Sequence, residues 1–189
     1  MSVNLLRDEI IKHALTIEEN FRVAMEVGLA FPELRNQVII KFAQKIKNTL
    51  EEPEQGYSVD TSWWENEPTG SFTGMTCREK SWPEGIEICI EAQQAGIRKY
   101  IIGVGCKKNT INDQLWQKIY IDLGVGKQSN GWIWYEDLKE DYRNFDNPKT
   151  LIALYKQTDM LDYLIKRIKE IEQIISKALL PCDTHGRCQ

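Results

Sequence analysis

Gly85–Gly105, GIEICIEAQQAGIRKYIIGVG, is the stretch on which the fold turns. Ile86, Ile88 and Ile90 alternate with Glu87, Cys89 and Glu91, the period of two that marks a half-buried strand. Gly96 turns the chain, and Arg98–Gly105 returns with Tyr100, Ile102 and Val104 on one face. Strands joined by so short a link pair antiparallel, since a parallel crossover needs a dozen or more residues.

The same period appears upstream. Tyr57, Val59, Thr61 and Trp63 alternate with Ser58, Asp60 and Ser62, which predicts a strand running through the first tryptophans. A turn at Pro68-Thr69-Gly70 leads to a shorter strand around Ser71 to Thr76, completing a four-stranded antiparallel meander. Beyond Asn109 a helix is expected through Leu115, Trp116, Ile119 and Tyr120, then a fifth strand at Gly131–Tyr135.

Helical periods flank this sheet. Leu6, Ile10, Ala14, Ile17, Phe21, Ala24 and Gly28 recur at steps of three and four, with a break between two helices near Thr16, where Thr16 and Glu19 have capping-box spacing. Phe31-Pro32 reads as a new helix start, because proline loses nothing at a first turn. From there Leu34, Val38, Phe42, Ile46 and Leu50 form a second stripe. Asn147-Pro148 starts a short helix, and Thr158 or Asp159 the last one, in which Leu161, Leu164, Ile168, Ile171, Ile175 and Ala178 step by three and four. That stripe suits packing along the sheet, with a homodimer seam through residues 159–180 as the alternative. The expected architecture is α+β: one domain over residues 1–180, with an antiparallel sheet of four to five strands, N-terminal helices and a long C-terminal helix packed on it. Residues 181–189 read as a flexible tail.

Composition narrows the function. The chain has 189 residues, 42% of them hydrophobic and 28% charged, the balance of a globular protein. No apolar run reaches the roughly 20 residues of a membrane span, and MSVNLLRDEI lacks the apolar centre of a secretory leader. The net charge of −4 gives no global basic field for duplex binding. Arg78 with Lys80, Arg98 with Lys99, and Lys107 with Lys108 are the local basic pairs. Five cysteines without a Cys-x-x-Cys pair suit a reducing cytoplasm; Cys182, His185 and Cys188 make only a weak zinc signal. No cofactor is expected.

Few residues suggest chemistry. Asp60, Glu91 and Gln93 are the one set to weigh as a Mg²⁺ nuclease site, by resemblance to PD-(D/E)xK nucleases, which hold the metal with an Asp and a Glu on neighbouring strands and activate water with a group two residues after the Glu. Gln93 stands where a charged lysine is usual. Gly103-Val104-Gly105 and Gly124-Val125-Gly126-Lys127-Gln128 read as turns or close-packed strand positions, since neither completes a nucleotide-binding motif. With only two histidines, His13 and His185, no catalytic triad forms. The aromatic set is richer: Trp63, Trp64, Trp82, Trp116, Trp132 and Trp134 all fall in or beside the sheet. On a strand Trp63 and Trp64 face opposite sides, while Trp132 and Trp134 share one. Exposed tryptophans anchor interfaces and stack on bases.

Glu33–Leu50, an aromatic-rich strand, Trp82–Glu91 and Tyr100–Gly105 follow one another in the order found in the C-terminal accessory regions of PD-(D/E)xK nuclease superfamily proteins, many of them from prophage or defence loci. The chain resembles such a region over about 100 residues, Asn4 to about Ile102, through loose hydrophobic patterns. The resemblance implies a recognition or assembly part without the catalytic core. The expected function is therefore non-catalytic binding of a protein or nucleic acid, with inhibition of a host defence complex by a phage-type protein as its specific form. The candidate binding residues are Trp63, Trp64, Trp82, Trp132, Trp134, Arg78, Lys80, Arg98 and Lys99. A degenerate nuclease and an aromatic-walled small-ligand sponge are the alternatives.

Overall fold

The computed structural model describes residues 3–107 and 110–180, with side chains from residue 5. The predictions for Lys108 and for the tail with Pro181, Cys182, His185 and Cys188 lie outside the described residues. The chain divides into two compact units, Met1–Gln37 and Val38–Gln189. Among the described residues the fold is α+β, with six helices and one six-stranded antiparallel sheet. No described helix is long and apolar enough to cross a membrane.

The first unit is helical: α1 covers Val3–Ala14, and α2 begins at Glu18 and continues to Leu50. The break near Thr16 is present, held by hydrogen bonds from the Thr16 hydroxyl to the His13 carbonyl (2.5 Å) and from Asn20 Nδ2 to Thr16 Oγ1 (3.0 Å). The predicted restart at Pro32 is absent, and Pro32 lies inside α2. Proline there forfeits one backbone bond, to Gly28, while the strong helix formers Leu29, Ala30, Glu33, Leu34 and Arg35 carry the helix past it.

The second unit holds the sheet. Its strands are β1 (Tyr57–Asp60), β2 (Gly74–Glu79), β3 (Ile86–Gln94), β4 (Arg98–Cys106), β5 (Lys127–Ser129) and β6 (Trp132–Asp137), ordered β1-β2-β3-β4-β6-β5. Between them lie α3 (Ser62–Asn66) and α4 (Asp113–Leu123), and after them a 3-10 turn (Glu140–Tyr142), α5 (Pro148–Lys156) and α6 (Asp159–Leu179). The sheet has six strands rather than four or five because β5 is three exposed polar residues with no hydrophobic alternation. Its one legible signal was Asn130-Gly131, the two-residue turn between Ser129 and its partner Trp132, with Gly131 at φ 83°.

Pairing fixes which side chains share a face. Ile86, Ile88 and Ile90 of β3 point with Tyr100, Ile102 and Val104 of β4 into the core, where Phe42, Ile46 and Leu50 of α2 join them. The α6 stripe is wholly inside: Leu164, Ile168, Ile171 and Ile175 are fully buried. The seam that would have served a homodimer through residues 159–180 is thus occupied by the chain's own core. Polar bonds fix the helix in register: Trp82 Nε1 donates to Ser176 Oγ (2.9 Å), and Arg167 bridges Glu136 of β6 (2.7 Å) and Glu170 (2.9 Å).

Candidate functional site

The predicted nuclease set does not assemble. Asp60 pairs with Thr76 on β2, whereas Glu91 on β3 pairs with Gly74, so β2 separates the two acids and they are offset along the strands. One intervening strand spaces them by roughly 10 Å, too far for both to reach one Mg²⁺ at about 2 Å. The expectation of neighbouring strands fails because the first strand pairs only with the short β2. Asp60 is engaged in turn chemistry instead: the Ser62 hydroxyl first, and then the Ser62 N–H that donates to Oδ1 (2.8 Å), hold its pKa below the ordinary carboxylate value. Glu91 Oε1 accepts from Gln93 Nε2 (2.8 Å).

Burial pushes the Glu91 carboxyl up from its ordinary value, more than the Gln93 bond lowers it. A raised native pKa means that the folded state holds its proton more tightly than the unfolded chain, so ionisation at neutral pH destabilises the fold. Glu91→Gln is accordingly expected to raise the urea midpoint at pH 7, with the gain shrinking as pH falls through the native pKa. A midpoint that drops at pH 7 would show that the charge is needed.

The tryptophans divide into structural and surface groups. Trp64, Trp82 and Trp134 are interior residues: 0%, 4% and 0% exposed, with indole nitrogens hydrogen-bonded to Tyr100 Oη, Ser176 Oγ and the Gly124 carbonyl. They present nothing to a partner. Trp132 and Trp134 do not share a face. A bulge in the β4–β6 ladder puts one extra residue, Ile133, between the partners of Val104 and Gly105, sending Trp132 to the side of Tyr135, with ring centroids 5.8 Å apart. Trp134 turns inward under Arg167, 5.3 Å from its ring. Trp116 is half-buried beside the core.

Trp63 and Trp64 lie on α3, not on a strand. The strand stops at Asp60 because the Asp60–Ser62 bond turns the backbone and the Thr61 hydroxyl donates to Glu65 Oε1 (2.7 Å) within the new helix. One indole still goes in and one out: Trp63 is 56% exposed. It walls a cleft of about 270 Å³ with Asn66, Glu67, Ser71, Phe72 and Thr73.

Phe72 is the residue that sequence reasoning missed. Its φ is 61°, the left-handed region that a bulky side chain enters at a cost of about 1–3 kcal/mol, yet its ring is 55% exposed. The surrounding backbone imposes this conformation. The Phe72 N–H donates to Ala92 O (3.0 Å), the Ala92 N–H to Thr73 O (2.9 Å), and Thr73 Oγ1 to Trp63 O (3.0 Å). No sequence period marks a strained aromatic in a Gly-Ser-Phe turn. The Glu67 side chain lies over Gly70, where an added Cβ would stand 2.8 Å from its Cδ. The cleft therefore joins two outward rings and a carboxylate. It belongs to a run, Thr49–Cys77, with six acids and no lysine or arginine.

The basic candidates are dispersed. Arg98 pairs with Asp146 (2.5 Å), the Lys99 N–H donates to Asn144 Oδ1 (3.0 Å), Arg78 is half-buried on β2, and Lys80 is exposed beyond it. The cysteines are quiet: burial pushes Cys89 up to about 12 and raises Cys77 further, so neither is a thiolate at neutral pH. Gly103 and Gly105 sit within β4, and Gly124 caps α4, as their reading as strand and turn positions requires. Among the described residues no group of three or more His, Cys, Asp or Glu is placed to hold a metal ion. No family model matches the sequence, and neither a curated protein nor a solved structure matches it.

Proposed function

We propose that the chain is a non-catalytic recognition protein whose cleft at α3 takes a basic side chain from a protein partner. The observation that carries this reading is the outward pair Trp63 and Phe72 around Glu67. A guanidinium between them meets two ring faces and one carboxylate; cation–π contact contributes about 0.5–1 kcal/mol at an exposed site and about 2 when desolvated. The charge of the surrounding run favours a protein over a nucleic acid, because six acids without a base repel phosphate. The resemblance to nuclease accessory regions extends the proposal to a docking role beside, or against, a defence nuclease.

Titration of the full chain with a hexa-arginine peptide tests it. Binding is expected to weaken with salt and to fall about 10-fold or more in both Trp63→Ala and Glu67→Gln, while a hexaglutamate peptide and duplex DNA stay unbound. Equal affinity of Trp63→Ala and the unaltered protein, or preferential retention of DNA, would overturn the reading.

A further inference from the structure

We propose that the chain binds a neutral sugar in a second cleft, formed by α4 and the β5–β6 hairpin. The cleft encloses about 610 Å³, within the roughly 300–1,000 Å³ of small-molecule sites. Asp113, Trp116 and Gln117 are spaced i, i+3 and i+4 on α4, so they share the helix face that makes one wall. Gln128, Ser129 and Asn130 make the other, and Cys106 and Ile111 complete the lining. Both walls are held in place. The Asn112 side chain caps α4 by accepting from the Leu115 N–H (2.9 Å), and the Cys106 N–H ties the hairpin turn to β4 through the Gly131 carbonyl (3.0 Å).

The lining chemistry selects the ligand. The side chains of Asp113, Gln117, Gln128, Ser129 and Asn130 have no hydrogen-bond partner among the described residues, so all five are available to a ligand. Three carboxamides and a hydroxyl both donate and accept, and the carboxylate accepts. A row of sugar hydroxyls matches that set, because each is itself donor and acceptor. Trp116 is partly packed against the core, and its remaining surface gives the C–H face of a sugar ring a rigid apolar wall. Among the described residues no lysine or arginine lines the cleft, so a phosphate or carboxylate ligand would meet Asp113 without a counter-charge. An apolar ligand would strip water from five polar side chains and return no hydrogen bond.

Titration of the full chain, followed by NMR at the tryptophan indole signals, is the test. Of the methyl glycosides of glucose, galactose, mannose and N-acetylglucosamine, at least one is expected to bind with a Kd of about 1 mM or tighter. Gln117→Ala and Gln128→Ala change one exposed residue in each wall, so the fold is kept, and each should weaken that binding about 5-fold or more. Trp63→Ala, in the cleft at α3, should leave it unchanged. Methyl glucuronide, which brings a carboxylate before Asp113, should bind more weakly than the neutral glycoside. No binding of any of the four glycosides, an affinity that survives either glutamine variant, or tighter binding of the glucuronide or of adenosine would each overturn the proposal.

Discussion

Trp64→Ala is expected to lower the unfolding free energy by about 3–5 kcal/mol, whereas Trp63→Ala, one residue away, should cost no more than about 0.5 kcal/mol. Both sit on α3, but Trp64 is fully buried in a ring cluster with Tyr100 (centroids 6.0 Å) and Phe145 (6.1 Å), while Tyr100 and Phe145 stack at 3.8 Å. Part of the loss is the cavity. Part is polar: Trp64 Nε1 donates to Tyr100 Oη (3.0 Å), and without the indole that buried hydroxyl loses its donor. Trp64→Phe keeps a ring in the cluster but removes the N–H together with part of the indole's volume, so its cost is expected to fall between those of the two alanine variants. Urea denaturation followed by far-ultraviolet dichroism reads all three variants. Similar midpoints for the two alanine variants would show that the cluster does not anchor α3.

The second large effect concerns a glycine. A Cβ at Gly103 would stand 2.5 Å from the Trp134 carbonyl oxygen, 2.6 Å from Tyr135 Cβ and 2.9 Å from Tyr135 Cα. Two of these three atoms are backbone, and β6 is held there by its ladder with β4. Gly103→Ala therefore has to move a strand, with a cost at or above the upper end of the about 1–3 kcal/mol typical of overpacking. Gly105→Ala is the control. Its Cβ meets Cys89 Sγ at 3.1 Å, a side-chain atom that can give way. The midpoint should fall markedly for Gly103→Ala and little for Gly105→Ala. The reverse order would mean that the β4–β6 spacing is wrong.

These variants show where the sequence was legible. The Ile alternation of β3 located that strand, because its one buried face repeats its chemistry every second residue; in β4 Tyr100, Ile102 and Val104 kept the same period although Ile101 on the opposite face is buried too. The α6 stripe was equally clear, since every step of three or four met the core. Trp132 and Trp134 were misread because a bulge inserts one residue into β6 and reverses the face of whatever precedes it. The Trp63–Trp64 segment was misread because local side-chain bonds at Asp60 and Thr61 override a strand-like alternation. The cleft was half legible: Trp63 stood out, but Phe72 owes its position to backbone bonds that no periodicity announces.

The strand order has a consequence for synthesis. β1 to β4 are sequential neighbours, so this ribbon can zip up as soon as Cys106 has left the ribosome. The helix that covers its oily side, α6, begins only at Asp159, and at about 5–20 residues per second the nascent sheet waits several seconds for that lid. Through that interval only α2 is at hand to shield Ile86, Ile88 and Ile90, and the part of the face kept for α6 is a sticky surface where a holding chaperone would find its client.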